Sequence, residues 1–312
     1  MPVASKLSPP LARSYFMPRY WPTWLGLALL RLVILLPRSA QVRLGHSLGN
    51  LIFSRNAKRR AIAATNLALC FPQLSAKELG GLLKSHFYAM GLATLDYGTL
   101  WWASPQKLAQ MVKIKGLEYC HSAKLQGKNL ILLTGHYVGI DICGITLSRH
   151  LTMLAFMKSF KNPLINGLMV KQRKRHGGSV FYRDQGLRPV IKAIKNGGAL
   201  LYLPDQDFGP EQSVFVPFFA TQSASITTLG RMASLCNAVV IPCAVRYDAE
   251  TQGYEVVLRA PLADFPTGDD YQDTLSMTQA LEQDIAQAPE QYMWTLKLFR
   301  SRPDGQPSPY ES

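Results

Sequence analysis

The amino-terminal quarter of the sequence contains no acidic residue. Residues 1–77 carry eleven lysines and arginines, and the first carboxylate is Glu78. A second basic block, residues 151–200, holds ten cationic side chains and a single acidic one, Asp184. The whole chain of 312 residues has a net charge of +14. Basic surfaces of this kind suit a polyanionic partner, which can be nucleic acid, an anionic lipid headgroup or an acidic protein.

The sequence also lacks the patterns of metal, disulfide and nucleotide sites. Its five cysteines are scattered, odd in number and free of C-x-x-C or Cys/His zinc spacing. We therefore expect buried free thiols in a reducing compartment. No glycine-rich dinucleotide fingerprint or phosphate-binding loop is present, which argues against a nucleotide cofactor. The sequence predicts neither a metal nor any other cofactor.

No apolar run reaches the roughly 20 residues that a membrane-spanning helix requires. The most apolar window is residues 20–36, and its core of about thirteen residues is interrupted by Arg31. Three interpretations compete: a cleaved signal peptide, a single short or tilted span, and a helix embedded in the bilayer surface or in a hydrophobic pocket of the protein. Residues 37–40 form a poor cleavage site, which disfavours the first. Because the second and third interpretations both place the protein on a membrane, we expect it to be membrane-associated.

The hydrophobic period changes near Met111. Residues before Ala109 follow helical spacing, whereas strand-like runs alternate with helical segments after Met111. This alternation predicts an α/β fold with a central mixed sheet flanked by helices and an N-terminal membrane-associated helical segment. Residues 273–302 are predicted to be helical. The predicted division is an anchoring helix at 1–37, a helical segment at 38–110, a core at 111–302 and a polar tail at 303–312.

Residues 45–49, GHSLG, match the G-x-S-x-G pattern of a serine nucleophile elbow. That motif requires a core strand followed by a tight turn. Here no strand precedes it, and neighbouring leucines recur on one helix face. We therefore interpret Ser47 as non-catalytic.

Residues 129–144, NLILLTGHYVGIDICG, place His136 at a strand-to-helix turn and Asp141 one turn inside the helix. The Asp141 carboxylate could then fold back on the imidazole and orient it as a general base. Such a base can activate an acceptor hydroxyl directly, so no covalent serine is needed. The alternative is a helix cap followed by a first-turn charge.

Two further strand ends carry polar side chains. Arg183 closes one predicted strand and suits recognition of phosphate or carboxylate. The alternative is a surface salt bridge with the neighbouring Asp184. Another strand ends in Asp205, Gln206 and Asp207. A magnesium or calcium site is conceivable there, but the sequence offers no further obvious ligands. The following run, residues 213–219 (SVFVPFF), is either core or a wall for an acyl chain.

The motifs TGHYVGID, FYRDQG, PDQDFGP, SVFVPFF and VVIPCAVRY together resemble the lysophospholipid acyltransferase superfamily. Within it the chain is similar to the late acyltransferases of bacterial lipid A and lipopolysaccharide synthesis, the HtrB/LpxL type. The resemblance extends to residues 289–294 and 302–303. His136 and Asp141 fit the His-x4-Asp/Glu signature, although many lipid A enzymes carry glutamate at the second place.

The resemblance implies an enzyme on the cytoplasmic face of the bacterial inner membrane. It would transfer an acyl chain from acyl carrier protein to a hydroxyl of a Kdo-bearing lipid A precursor, without metal or nucleotide. His136 would be the base with Asp141 as its partner, Arg183 would contact the anionic acceptor, and Asp205, Gln206 and Asp207 would line the site. Two competing functions are acylation of another lipid, such as a lysophospholipid, ornithine lipid or glycolipid, and a non-catalytic basic membrane adaptor. A nucleic-acid binder is disfavoured by the apolar N-terminal helix.

Overall fold

A computed structural model describes residues 13–311 and confirms the predicted mixed sheet flanked by helices. The strand-like runs after Met111 form one sheet of seven strands, which are β1 Val112–Lys115, β2 Asn129–Leu133, β3 Met153–Met157, β4 Ser179–Tyr182, β5 Ala199–Tyr202, β8 Ala238–Asp248 and β9 Gly253–Leu258. Their order across the sheet is β1-β9-β8-β2-β5-β3-β4. Strands β8, β2, β5, β3 and β4 run parallel, while β9 is antiparallel to β8 and parallel to β1.

Helices surround this sheet, and the chain between Trp21 and Met111 is helical, as predicted. Residues Leu130 to Leu133 are at most 1 % exposed, because parallel strands are covered on both faces. Residues 1–12 of the predicted anchoring segment lie outside the described part, and the division into segments stays a prediction. The helices are α1 Trp21–Val33, α2 Arg38–Arg55, α3 Ala57–Cys70, α4 Ala76–Trp102, α5 Pro105–Met111, α6 Leu117–Leu125, α7 Ile140–Leu147, α8 Pro163–Arg173, α9 Arg188–Lys195, α10 Thr228–Cys236 and α11 Asp270–Ile285.

The GHSLG pattern is a helix-packing motif. Gly45 and Gly49 lie on the buried face of α2, against Gly91 of α4. A Cβ atom at Gly91 would overlap the backbone of both α2 glycines, so these positions require glycine. Ser47 is exposed, and its hydroxyl donates to the carbonyl of Arg43. This confirms the interpretation that Ser47 is not in a nucleophile elbow.

Helix α1 packs along α4 and leaves one face uncovered. A Cβ atom added to Gly98 of α4 would lie 2.7 Å from the carbonyl oxygen of Leu30, so the two helices approach closely. The opposite side of α1 exposes Trp21, Leu25 and Leu29, each by more than half of its surface. Within residues 13–311, none of the helices combines the length and the apolarity needed to traverse a bilayer.

Two regions differ from the sequence-based expectation. The C-terminal helix α11 ends at Ile285 rather than extending to Arg302, and Pro289 opens a short 3-10 turn beyond it. This irregular segment returns to the sheet, where Tyr292 forms a β-bridge with Tyr137. The SVFVPFF run forms strand β6, Ser213–Phe218, paired with β7, Thr221–Ile226, a hairpin that the sequence patterns do not predict.

Candidate active site

Three candidate segments meet at the carboxyl edge of the parallel strands. His136 follows β2, Arg183 follows β4, and Asp205 follows β5. Because β2 and β5 are hydrogen-bonded neighbours, the loops that leave them lie side by side. Ligand sites of α/β sheets form at this edge. The topology therefore explains why residues almost 70 positions apart come into contact.

His136 is held by Asp205. The imidazole Nδ1 lies 2.6 Å from Asp205 Oδ1, and the backbone N–H of His136 donates to Oδ2 at 2.6 Å. The Tyr292 hydroxyl donates to the same Oδ2 at 2.8 Å. Gly135 permits this approach, since a Cβ atom there would lie 3.0 Å from the Tyr292 ring and 3.4 Å from Oδ2.

The environment keeps the Asp205 carboxylate ionised. Burial alone raises its pKa, but the neighbouring His136 and the hydrogen bonds from His136 and Tyr292 outweigh that effect and leave the pKa below its ordinary value. The side chain of Asp205 is only 4 % exposed, whereas that of His136 is 21 % exposed. The imidazole is therefore the member of the pair that a substrate can reach.

The other imidazole nitrogen faces Gln206. Because an ionised Asp205 can only accept, Nδ1 is the donor of this bond, and in a neutral imidazole the lone pair then lies on Nε2. The amide nitrogen of Gln206 lies 3.2 Å from Nε2, and its carbonyl oxygen accepts from both terminal nitrogens of Arg183 at 3.2 Å. Arg183 also stacks on Phe208, with 5.2 Å between the guanidinium carbon and the ring centroid. Hydrogen bonds thus link Asp205, His136, Gln206 and Arg183 in that order.

Asp141 has different partners from those expected. Its Oδ1 accepts from Arg173 Nε at 2.7 Å, and its Oδ2 accepts from the Tyr97 hydroxyl at 2.7 Å. The predicted pairing of Asp141 with His136 is therefore corrected: the carboxylate on the imidazole is that of Asp205. The reason is local, since α7 starts only at Ile140 and its first turn directs Asp141 towards α4 and α8.

Asp207, in the same loop, binds Ser301 and Gly209 rather than His136. Its carboxylate accepts from the backbone N–H and hydroxyl of Ser301, at 2.5 and 2.9 Å, and from the N–H of Gly209 at 2.9 Å. These bonds fasten the C-terminal segment to the loop after β5. Within residues 13–311, no three His, Cys, Asp or Glu side chains are grouped so that they could hold a metal ion.

The sequence does not predict the roles of four residues at this site. Asp205 is the partner of His136. Tyr292 donates to Asp205, and Tyr97 and Arg173 donate to Asp141. A usable signal existed for Asp205, because it follows a buried strand that can lie beside β2. Tyr292 lies within residues 289–294, to which the resemblance extends without giving it a role, whereas Tyr97 and Arg173 stand in no recognised motif. Together the fold and the site define an α/β protein with a histidine arranged for acid–base chemistry at the carboxyl edge of its sheet.

Comparison with known proteins agrees with this class. Residues 9–301 match the family described as bacterial lipid A biosynthesis acyltransferase. A lipid A biosynthesis acyltransferase of Haemophilus influenzae is 36 % identical over 94 % of this chain and 92 % of its own length. The lipid A biosynthesis lauroyltransferase and myristoyltransferase of Escherichia coli are 32 % and 33 % identical, over 97 % and 98 % of this chain and 99 % and 95 % of their own lengths.

The chain belongs to the bacterial lipid A biosynthesis acyltransferase family. Its relatives transfer different acyl chains, since one is named a lauroyltransferase, one a myristoyltransferase and one a palmitoleoyltransferase. The family accordingly assigns the protein to acyl transfer in lipid A biosynthesis.

Proposed function

We propose that the protein transfers a fatty acyl group from acyl carrier protein to a hydroxyl of a Kdo-bearing lipid A precursor, with His136 as general base and Asp205 as its orienting carboxylate. The observation that carries this proposal is the 2.6 Å contact between His136 Nδ1 and the ionised, buried Asp205. It leaves Nε2, which faces the Gln206 amide, as the proton acceptor.

In the proposed reaction, the acceptor hydroxyl replaces the Gln206 amide on Nε2. The hydroxyl oxygen bonds to the thioester carbonyl carbon as its proton passes to Nε2. The tetrahedral intermediate then collapses, the carbon–sulfur bond breaks, and the imidazolium returns the proton to the departing thiolate. The Asp205 carboxylate stabilises the imidazolium between these two transfers. No covalent enzyme intermediate is required.

Two arginines supply charge for the anionic acceptor in this proposal. Arg183 reaches the site through Gln206, and Arg173 is fixed by Asp141 while its Nη1 lies 3.0 Å from Met157 Sδ at the end of β3. Both guanidiniums are therefore at the carboxyl edge that carries His136. Guanidinium groups bind phosphate and carboxylate with two parallel hydrogen bonds. In this assignment Asp141 is a positioning residue for Arg173.

We further propose that α1 lies in the surface of the bacterial inner membrane, on its cytoplasmic side. Thirteen helical residues extend about 20 Å, less than the roughly 30 Å of a hydrocarbon core. The packing of α1 on α4 and its uncovered apolar face support a helix that lies flat. The five buried free cysteines agree with a reducing compartment.

The test is an acyl-transfer assay with purified protein, acylated acyl carrier protein and a Kdo-bearing precursor, read by mass spectrometry. His136→Ala is expected to abolish transfer, while substitution of the exposed His150 by alanine leaves it unchanged. Near wild-type turnover of His136→Ala would refute the assignment of the base. If lipids of cells lacking the gene retain complete lipid A and lose an acyl chain from another lipid, the acceptor assignment is wrong.

A further inference from the structure

A short loop after β3 combines an aromatic side chain with two lysines. Residues Lys158, Ser159, Phe160 and Lys161 are all exposed, and Phe160 shows 44 % of its surface to solvent. No acidic residue occurs between Leu151 and Arg183, so nothing in this part of the sequence neutralises the lysines. We refer to these residues as loop 158–161.

Loop 158–161 adjoins the uncovered face of α1. The side-chain amide of Asn162, the next residue, donates to the hydroxyl of Thr23 at 2.9 Å. Thr23 stands between Trp21 and Leu25, two of the exposed apolar residues of α1. The loop and the exposed part of the helix are therefore joined by a hydrogen bond and form neighbouring parts of one surface.

The same loop adjoins the candidate active site. The backbone N–H of Phe160 donates to the Asn166 side chain at 3.0 Å, and the Asn166 amide donates to the hydroxyl of Tyr182 at 3.1 Å. Tyr182 is the last residue of β4 and immediately precedes Arg183. The loop therefore lies between α1 and the edge of the sheet that carries His136.

We propose that loop 158–161 is a second membrane-contact element that binds a bilayer containing anionic phospholipids. Phe160 would enter the interfacial layer, while the two lysines would pair with lipid phosphates. The carboxyl edge of the sheet then faces the bilayer, and an acceptor lipid reaches His136 without leaving the membrane surface completely. This inference rests on the proposed placement of α1 and adds a contact that α1 alone does not make.

The first experiment measures the insertion of single residues into the membrane. All five native cysteines are buried, so a cysteine introduced at an exposed site is the one that an environment-sensitive dye labels. Full-length protein carrying Ser159→Cys is labelled and mixed with vesicles of phosphatidylglycerol and phosphatidylethanolamine. We expect a blue shift and a rise in emission. Ser122→Cys, on the exposed face of α6 near the amino end of β2, serves as the control and is expected to show neither.

The outcomes separate this inference from the placement of α1. Leu29→Cys reports on α1 in the same vesicles. A blue shift at position 29 without one at position 159 overturns the loop contact and leaves the placement of α1 intact. Protein that does not float with the vesicles at all overturns both. The acyl-transfer assay in detergent micelles tests the chemistry separately from either.

The second experiment measures affinity. Each cation near an anionic membrane strengthens binding about fivefold, so the triple variant Lys158→Glu, Phe160→Ala, Lys161→Glu is expected to bind these vesicles at least 30-fold more weakly. The control is Lys124→Glu, Leu125→Ala, Lys128→Glu, which reverses two charges and truncates one apolar side chain between α6 and the amino end of β2, where Leu125 is 89 % exposed. Equal losses in the two variants would overturn the proposal. With vesicles of phosphatidylcholine alone, the part of the loss that is due to the two lysines should disappear.

Discussion

Replacement of Asp205 by asparagine is the sharpest test of the proposed mechanism. Asparagine has nearly the same shape, and its carbonyl oxygen can still accept the Nδ1 proton of His136. Its amide nitrogen then replaces Oδ2, so the bonds that Oδ2 accepts from the His136 N–H and the Tyr292 hydroxyl are lost as well. The substitution removes the negative charge that faces the imidazole at 2.6 Å. We therefore expect the imidazolium formed during acyl transfer to lose its counter-charge while the substrate-binding surface stays in place.

The size of the effect follows from the geometry. Two unit charges about 4 Å apart attract by roughly 4 kcal/mol at an effective dielectric constant of about 20. Each 1.4 kcal/mol of transition-state stabilisation corresponds to about a tenfold change in rate. The kcat of Asp205→Asn should therefore fall about 10³-fold, and the KM for either substrate should change little.

The assay is steady-state acyl transfer, with folded protein quantified by thermal unfolding. Asp207→Asn is the matched control, since it makes the same change two residues away in a carboxylate that binds Ser301. It should lower the melting temperature and leave kcat per folded molecule within about tenfold of wild type. An Asp205→Asn enzyme that keeps a tenth or more of wild-type kcat would show that the carboxylate does not serve the base.

Three further predictions concern other parts of the molecule. Asp141→Asn should raise the KM for the anionic acceptor about tenfold with a smaller effect on kcat, because a charge-assisted hydrogen bond that positions Arg173 is weakened. Gly91→Ala should lower the free energy of unfolding by about 1 to 3 kcal/mol, since its Cβ would overlap Gly45. Burial lowers the pKa of His86 to about 4. This residue should therefore reduce the free energy of unfolding by about 3 kcal/mol between pH 7 and pH 4, as the pH falls below about 6.5.

Each of these has its own control. Asp141→Asn is compared with Tyr97→Phe, which removes one hydrogen bond but keeps the charge; an Asp141→Asn loss confined to kcat would mean that Asp141 acts on the base. Gly80→Ala, where an added Cβ meets nothing within 4 Å, should not destabilise the protein. For His86, the sign follows from a folded-state pKa below the unfolded one: the unfolded state binds the proton first, and His86→Leu should remove that part of the pH dependence.

The sequence located most of the secondary structure because local patterns carry that information. The seven sheet strands are short apolar runs between turn residues, and the GHSLG pattern was assigned to a helix from the spacing of its leucines. The C-terminal segment was harder, since its helical spacing continues past Ile285 while its actual conformation is set by the bridge between Tyr292 and Tyr137. The β6–β7 hairpin was missed for a related reason: the TQSASI strand is too polar to signal burial.

At the site, local sequence patterns are enough to place His136 after a buried strand and Arg183 and Asp205 at the ends of two others. The carboxylate that faces the imidazole is set by the order of the strands in the folded sheet. Spacing along the chain favoured Asp141, five residues from His136, whereas strand order places Asp205, 69 residues away, beside it. Neighbouring parallel strands bring their loops together irrespective of sequence separation. Asp141 is close in sequence, but its position in the first turn of α7 directs its carboxylate towards Tyr97 and Arg173.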